Sequence, residues 1–413
     1  MLPASGHSCS ALDVVLLGPW TKISSRGGSR LTARSATITR PTISVTGEIA
    51  HIIPTHERPA VAQRLVDSIN HFYPGSRVYV CDDSHVPETY DGAEDVPATA
   101  YDIGLSAKRN LLVQASTEPF VMLWDDDYVC TSNTDLRVFY ELLHHVDGCG
   151  MVGAEWSLGQ TQDRNVWFTG QLIPNGAEVK VRPPEGEPEH VEASCGTVSY
   201  HEVDLLPNFF MARRDLLETV PWDEQLKLNE HLEFFARLTA VRADSPRGKR
   251  WRERWKKLQE GEELFKASQN GKAVVQAQAS FSNDDKLDHI GGHVATGDWM
   301  EVDSGYAEEL VDSGLALPMT AVKDTRPFPL PEGTEDVDMK CVLTPNVTSR
   351  HMRSEGRASE AYTEKRYRRE QFMPLQKAKL GIRTRDLVQW SRYPYPSPNF
   401  EDPDSSLLEL PNT

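Results

Sequence analysis

An apolar run that ends in three consecutive carboxylates, Pro119-Phe-Val-Met-Leu-Trp-Asp-Asp-Asp-Tyr-Val129, constrains the fold of this chain more than any other stretch. It is too short for a helix of usual length and is bounded by polar residues, which reads as a strand buried on both faces of a parallel sheet. The acids then stand at its carboxyl end, the edge where open α/β sheets bind ligands because their loops converge on a crevice. If strand geometry continues, Asp125 and Asp127 point one way and Asp126 the other. Two carboxylates about 4 Å apart repel by several kcal/mol at an effective dielectric of about 20, so the cluster calls for a cation. A hard divalent ion, Mg2+ or Mn2+, bridging carboxylates and ligand phosphates suits it. The plainer reading is a solvated acidic turn.

The sequence upstream of the triplet favours the first reading. Ile49 to Pro54 reads as a strand, and Pro59 opens a helix whose Ala62, Leu65, Val66, Ile69, Phe72 and Tyr73 recur at helical spacing until Pro74-Gly75. Arg77 to Cys81 is a second buried-type strand with Asp82-Asp83-Ser84 beyond its end, the rhythm of a parallel sheet with helices on its faces. Residues 84 to 102 read as an acidic surface loop. Ser106 is then a candidate N-cap, with Lys108 and Arg109 in the first helical turn. Cations are disfavoured there by the helix macrodipole unless an anion lies nearby, so the pair with the free N–H groups suggests a phosphate site. Otherwise it is an exposed basic turn.

Downstream, Asn133 or Thr134 caps a helix through Leu136, Phe139, Leu143 and Val146, and Met151 to Trp156 reads as a strand. Pro174-Asn-Gly176 signals a hairpin, and Pro183 to Glu192 a loop over the site. Leu206 to Arg213 has strand character and leads into a short helix, and Asn229 opens a helix in which Glu230 and Glu233 share a face near its positive end. Either acid can take a proton from a hydroxyl nucleophile, or the two are an N-terminal acid pair with Phe234, Phe235 and Leu238 packed inward. Lys249 to Lys266 reads as a packed surface helix with Trp251, Trp255 and Leu258 on one stripe. His289 and His293, after a strand over Ala273 to Phe281, are either metal ligands or surface histidines.

Composition narrows the function classes. Across 413 residues the net charge is −17, which argues against a nucleic-acid surface and leaves a nucleotide ligand open. The six cysteines form no CxxC pair, so a zinc ribbon or thioredoxin-like motif is not expected. No stretch approaches the ~20 apolar residues of a membrane span. The organisation expected is a disordered or leader-like segment over 1–47, a domain over 48–299 with a charged helical insert at 241–272, and a partly ordered extension over 300–413.

Taken in order, Ile53-Pro-Thr-His-Glu-Arg-Pro59, Tyr79-Val-Cys-Asp-Asp-Ser84, Lys108-Arg-Asn110, Leu123-Trp-Asp-Asp-Asp-Tyr-Val129, Asn208-Phe-Phe-Met-Ala-Arg213 and Glu230-His-Leu-Glu-Phe-Phe235 resemble the GT-A glycosyltransferases. The resemblance is nearest to the ganglioside beta-N-acetylgalactosaminyltransferase family and covers roughly residues 48 to 295. It implies an α/β GT-A fold, a Rossmann-like mixed and mainly parallel sheet flanked by helices, with irregular terminal extensions. It also implies a UDP-sugar donor, a glycan or glycolipid acceptor, Mn2+ or Mg2+ as cofactor, inverting transfer, and a Golgi lumen location. The family's membrane anchor is not visible here, and the alternative location is soluble intracellular. By position, Asp82 or Asp83 would meet the uracil and ribose, Lys108 and Arg109 the nucleotide phosphates, and Asp125 and Asp127 the ribose and metal, with Thr55, Arg58, Asn110 and Asp126 as further substrate-binding residues. Asp125 and Asp127 would hold the metal, with His289 or Asp285 as third ligand, Glu233 would act as base, and Glu230 and His231 would line the acceptor side. A nucleotidyltransferase and a non-catalytic carbohydrate-binding relative are the alternatives, and a metal-dependent hydrolase fits less well.

Overall fold

The three β-strands that the sequence places before and within the acidic motif form the parallel half of one sheet. In the computed structural model β1 (Ile49–Thr55) lies between β2 (Arg77–Asp82) and β4 (Phe120–Trp124), parallel to both, and β3 (Glu94–Asp95) extends the edge beside β2. The structure describes residues 46–158, 169–175, 178–184, 186–242, 245–260, 272–279, 281–282, 293–294, 299–318, 327–334, 338–352, 373–380 and 384–387, all within one unit, Ser44–Thr413.

Beyond β4 come β5 (Tyr128–Val129), β6 (Cys149–Leu158), a hairpin of β7 (Gln171–Asn175) and β8 (Glu178–Arg182), then β9 (Glu189–Ala193), β10 (Gly196–Val203) and β11 (Phe209–Arg213). Toward the C-terminus follow β12 (Lys272–Ala277), β13 (Phe281–Ser282), β14 (His293–Val294), β15 (Trp299–Asp303), β16 (Ala316–Pro318), β17 (Lys340–His351) and β18 (Thr384–Leu387). The main sheet runs β3-β2-β1-β4-β11-β6-β17-β10-β9, with β5 paired to β17. Its strands share one direction except β5, β10 and β11. Three small sheets, β15-β12-β16, β13-β14 and β18-β8-β7, lie outside it.

Alternation along the central strands divides the core into two layers. Ile49, Ile53, Phe120, Met122 and Trp124 pack with α1 (Pro59–Phe72) and α3 (Leu136–His145), whereas Ala50, Ile52, Val121 and Leu123 pack with helices on the other face. Those are α2 (Leu105–Ala115), α4 (Arg214–Thr219), α5 (His231–Val241) and α6 (Pro246–Gln259). Pro59 opens α1 as expected, but the cap of α3 is Asp135, whose carboxylate accepts from Arg137 N, rather than Asn133 or Thr134. Within the expected 241–272 insert, α6 buries Trp251 and Trp255, whose indole N–H groups donate to Leu172 O at 3.0 Å and Phe328 O at 2.7 Å.

Two expectations need correction. The 183–192 stretch is not wholly loop, because β9 begins at Glu189 and pairs with β10. The boundary at residue 299 also fails: β17, from the expected extension, sits inside the main sheet between β6 and β10. Its apolar run is only Cys341-Val-Leu343 and is followed by Thr344-Pro-Asn346, which hides the strand from a local reading. Gly150 lies in a bulge where β6 meets β17, and a Cβ there would stand 1.8 Å from Asp338 O. Gly150→Ala should therefore cost about 1–3 kcal/mol or more by forcing β6 and β17 apart. Gly305, with nothing within 4 Å of its Cβ position, is the control, and calorimetric melting should show a loss for the first variant only.

Candidate functional site

Because β1, β2 and β4 are parallel, Thr55, Asp82 and the triplet after Trp124 emerge at one edge of the sheet. Thr55 Oγ1 donates to Asp126 Oδ2 at 2.7 Å. Arg58, immediately before α1, reaches Asp126 through Nε at 3.2 Å and through Nη2, and Asp127 through Nη1 at 3.2 Å. Asp125 faces Asn208 Nδ2 at 3.3 Å and Arg109 Nη2 at 3.5 Å. The expected alternation does not persist: pairing stops at Trp124, and a turn closed by Tyr128 N to Asp125 O at 3.1 Å brings Asp126 and Asp127 to the same guanidinium. Burial pushes the Asp125 carboxyl up to about 7, with Arg109 opposing and Asp127 and Asp126 adding to the shift. Asp126 is also raised by burial, against the pull of Arg58.

The cations that the sequence assigns to phosphates are turned inward. Helix α2 is capped at Gly104, whose φ of 93° suits glycine, so Ser106 is not the cap and instead donates its hydroxyl to Leu226 O at 2.7 Å. Lys108 Nζ donates to Asp83 Oδ1 and Thr55 O, each at 2.6 Å. Arg109 Nη1 donates to Glu230 Oε1 at 2.5 Å, while its buried Nε and Nη2 make no hydrogen bond among the described residues. Both cations are fully buried, where a charge must be paired. Lys108 therefore braces β1 and β2, and Arg109 ties Asp125 to Glu230.

Other expected donor-side residues are likewise engaged within the protein. Asp82 accepts from Ser84 N at 2.9 Å and Tyr90 Oη at 2.8 Å, holding the loop after β2. Asp83 also meets His56 Nδ1 at 2.8 Å and Gly104 N at 3.1 Å. Asn110 donates to Trp222 O at 3.0 Å and accepts from Trp222 N at 2.9 Å. The carboxyl after β2 and the amide of α2 are thus scaffold for the edge rather than its open face.

Glu233 is the clearest departure. It is fully buried, with Arg237 Nε at 2.9 Å and Nη2 at 3.4 Å, and burial raises its pKa. Arg237, its partner, also donates to the Pro221 carbonyl at 2.5 Å. Glu230, at the N-cap of α5, is the acid joined to the triplet through Arg109. His231 follows it, half-buried, its ring 5.0 Å from that of Phe235.

The structure also adds residues that no local motif announced. His351 closes β17 with Nε2 3.4 Å from Asp127 Oδ1. Tyr101, 47% exposed, lies with its ring 3.7 Å from His85 and 5.6 Å from His56, an aromatic shelf beside Asp83. His56, Asp83 and Asp102 bring ligand atoms within 4.8 Å of one another, but Lys108 already stands 2.6 Å from Asp83 and Lys227 3.7 Å from Asp102. The triplet with His351 also brings carboxylates and one imidazole to the sheet edge, with Arg58 3.2 Å from Asp127 and Arg109 3.5 Å from Asp125. The expected alternatives for the third ligand, His289 and Asp285, lie outside the described residues.

Residues 51–188, from β1 through the triplet to the hairpin, match the family described as Glycosyl transferase family 2. Human Beta-1,4 N-acetylgalactosaminyltransferase 1 is 32% identical over 174 residues, 41% of this chain and 32% of that protein. Mouse Beta-1,4 N-acetylgalactosaminyltransferase 2 is 28% identical over 182 residues, 44% of this chain and 34% of that protein. The chain thus spans about a third of the length of the curated relatives it matches. Among solved structures, S. aureus TarS superposes with a TM-score of 0.32 at 16% identity, covering 46% of this chain and 54% of that one. TarS in complex with UDP-GlcNAc gives a TM-score of 0.32 at 15% identity, covering 46% of this chain and 52% of that one. Among the described residues no helix is long and apolar enough to cross a membrane. The family match thus covers residues 51–188, and its central strands lie in a mixed, mostly parallel sheet.

Proposed function

We infer that this protein transfers a sugar from a UDP-sugar donor to a hydroxyl of a glycan or glycolipid acceptor, with inversion at the anomeric carbon. The observation that carries this reading is the chain Asp125–Arg109–Glu230, in which a buried guanidinium holds an acidic sheet edge and a helix-start carboxylate in fixed relation. The partial identity to N-acetylgalactosaminyltransferases supports N-acetylgalactosamine as the sugar and a Golgi lumen setting.

In this mechanism Glu230, not Glu233, takes the proton of the acceptor hydroxyl as its oxygen attacks the anomeric carbon. The acceptor oxygen–carbon bond forms, the bond from carbon to the diphosphate oxygen breaks, and the electron pair leaves with UDP. Asp127, Asp125 and His351 would hold a divalent ion, which when bound offsets charge growing on the leaving diphosphate. Arg58, paired with Asp126 and Asp127, keeps those carboxylates oriented, and the Tyr101 shelf offers the uracil a stacking surface.

Following UDP release from a panel of UDP-sugars, with and without Mn2+, tests the reading, and release of pyrophosphate instead would point to nucleotidyl transfer. Glu230→Gln should cut turnover by about a hundredfold or more while UDP still binds. Glu233→Gln should act chiefly on stability, and Arg237→Met, which strands a buried carboxylate, should cost about 3–5 kcal/mol by thermal melting. If Glu230→Gln turns over normally, the base assignment is wrong.

The raised pKa of Asp125 sets a pH dependence. Between about pH 4, where an unfolded aspartate titrates, and about 7, the folded chain keeps a proton that the unfolded chain has lost. Without divalent ions this group therefore lowers stability as pH rises through that window. Added Mn2+ competes with the proton, so its stabilisation should grow with pH; thermal midpoints at pH 5 and 8, with chelator and with Mn2+, check the sign. Asp127→Ala should abolish the Mn2+ effect and His351→Ala weaken it.

A further inference from the structure

The helix Met373–Leu380, from the part of the chain beyond the family match, packs against α5, α6 and β15. It buries Leu375 and Leu380, as an amphipathic helix would, but also Gln376 and Lys379, which at a spacing of three share a face. Buried amide and ammonium groups need partners, and both find theirs in the segment that leads into α5. Gln376 Nε2 donates to the carbonyl of Asn229, and Lys379 Nζ pairs with Asp223 Oδ2 at 2.6 Å, each of those two side chains only 2% exposed.

Those partners are the two ends of the loop that presents Glu230. Asp223 shapes the first end, its carboxylate accepting from Gln225 N at 3.1 Å and its carbonyl from Leu226 N at 2.9 Å. The loop's middle is fixed to the start of α2, with Leu226 O accepting from Ser106 and Lys227 O from Leu105 N at 2.8 Å. At its far end Asn229 has a φ of 62°, in the left-handed region that asparagine adopts more readily than other side-chain-bearing residues. Rotation of the Asn229–Glu230 peptide would carry Glu230 away from Arg109. The hydrogen bond from Gln376 to the Asn229 carbonyl opposes that rotation.

We propose that Gln376 and Lys379 are positioning residues, which clamp the 223–230 loop from the side opposite α2 and so fix Glu230 against Arg109 and Asp125. The kinetic consequence rests on the glycosyl-transfer reading; the structural one does not. C-terminal chain far from the nucleotide-binding motifs thereby completes the geometry of the site.

The test uses the full chain with Gln376→Leu, which removes the amide donor at similar volume, and the paired change Lys379→Met with Asp223→Asn, which removes both charges together. Hydrogen exchange at residues 223–232 should quicken about tenfold or more while amides of β1 and β4 keep wild-type protection. With an active donor, kcat should fall about tenfold with the donor KM within about twofold, the split expected when a reacting group is misplaced and ground-state binding is spared. Wild-type exchange and wild-type kcat in both variants overturn the proposal. So does a uniform loss of protection through β1 and β4, since the helix then only stabilises the whole. If the wild-type protein transfers no sugar, the functional reading fails, and local exchange alone still decides whether the clamp exists.

Discussion

A fully buried guanidinium between two carboxylates from different elements is the constraint on which the site depends. Arg109 leaves water completely, and the cost of doing so is offset only if Glu230 and Asp125 keep their places. Such a pair is weak evidence for stability but strong evidence for register, because any slip of α2, β4 or α5 strands a charge. Its neighbour Lys108, about 100° further round the helix, performs the corresponding task toward Asp83 and the end of β1. Two consecutive residues of one helix thus lock both halves of the sheet edge.

Strand direction explains how distant segments reach the same place. β11 enters antiparallel beside β4, with Phe209 opposite Trp124, so Asn208 arrives at the edge where β4 leaves it and can meet Asp125. β6 reverses again, and β17 runs parallel to it, hence in the same direction as β4. The carboxyl end of β17 therefore returns to the triplet, and His351 stands beside Asp127. The meeting of His351 with Asp127 is a product of this double reversal.

That dependence on topology separates what was legible in the sequence from what was not. The strand Phe120–Trp124, the helix opened by Pro59 and the acids at the sheet edge follow from local periodicity and turn chemistry, which the sequence carries directly. That Lys108 and Arg109 pair with buried acids was not legible, because a cation at a helix start looks the same in sequence whether it faces solvent or such an acid. Glu230 and Glu233 share a helix face by spacing, yet only the packing of Arg237 and Phe328 decides which is sealed. His351 carried no signal, since its partner lies on a strand remote in sequence and its own strand is interrupted by Pro345.

Charge balance then distinguishes the site from the scaffold around it. Asp83 has Lys108, Glu233 has Arg237 and Asp223 has Lys379, each an acid matched to a cation within the protein. At the edge, Asp125, Asp126, Asp127 and Glu230 face Arg58 and Arg109, four carboxylates against two guanidiniums. The edge thus carries two more carboxylates than guanidiniums, and burial pushes Asp125 up to about 7. Further lysine or arginine would neutralise that excess but fill the edge with side chain. A divalent cation would neutralise it while keeping open coordination positions for a diphosphate, which is what the proposed sugar-transfer reading asks of this edge.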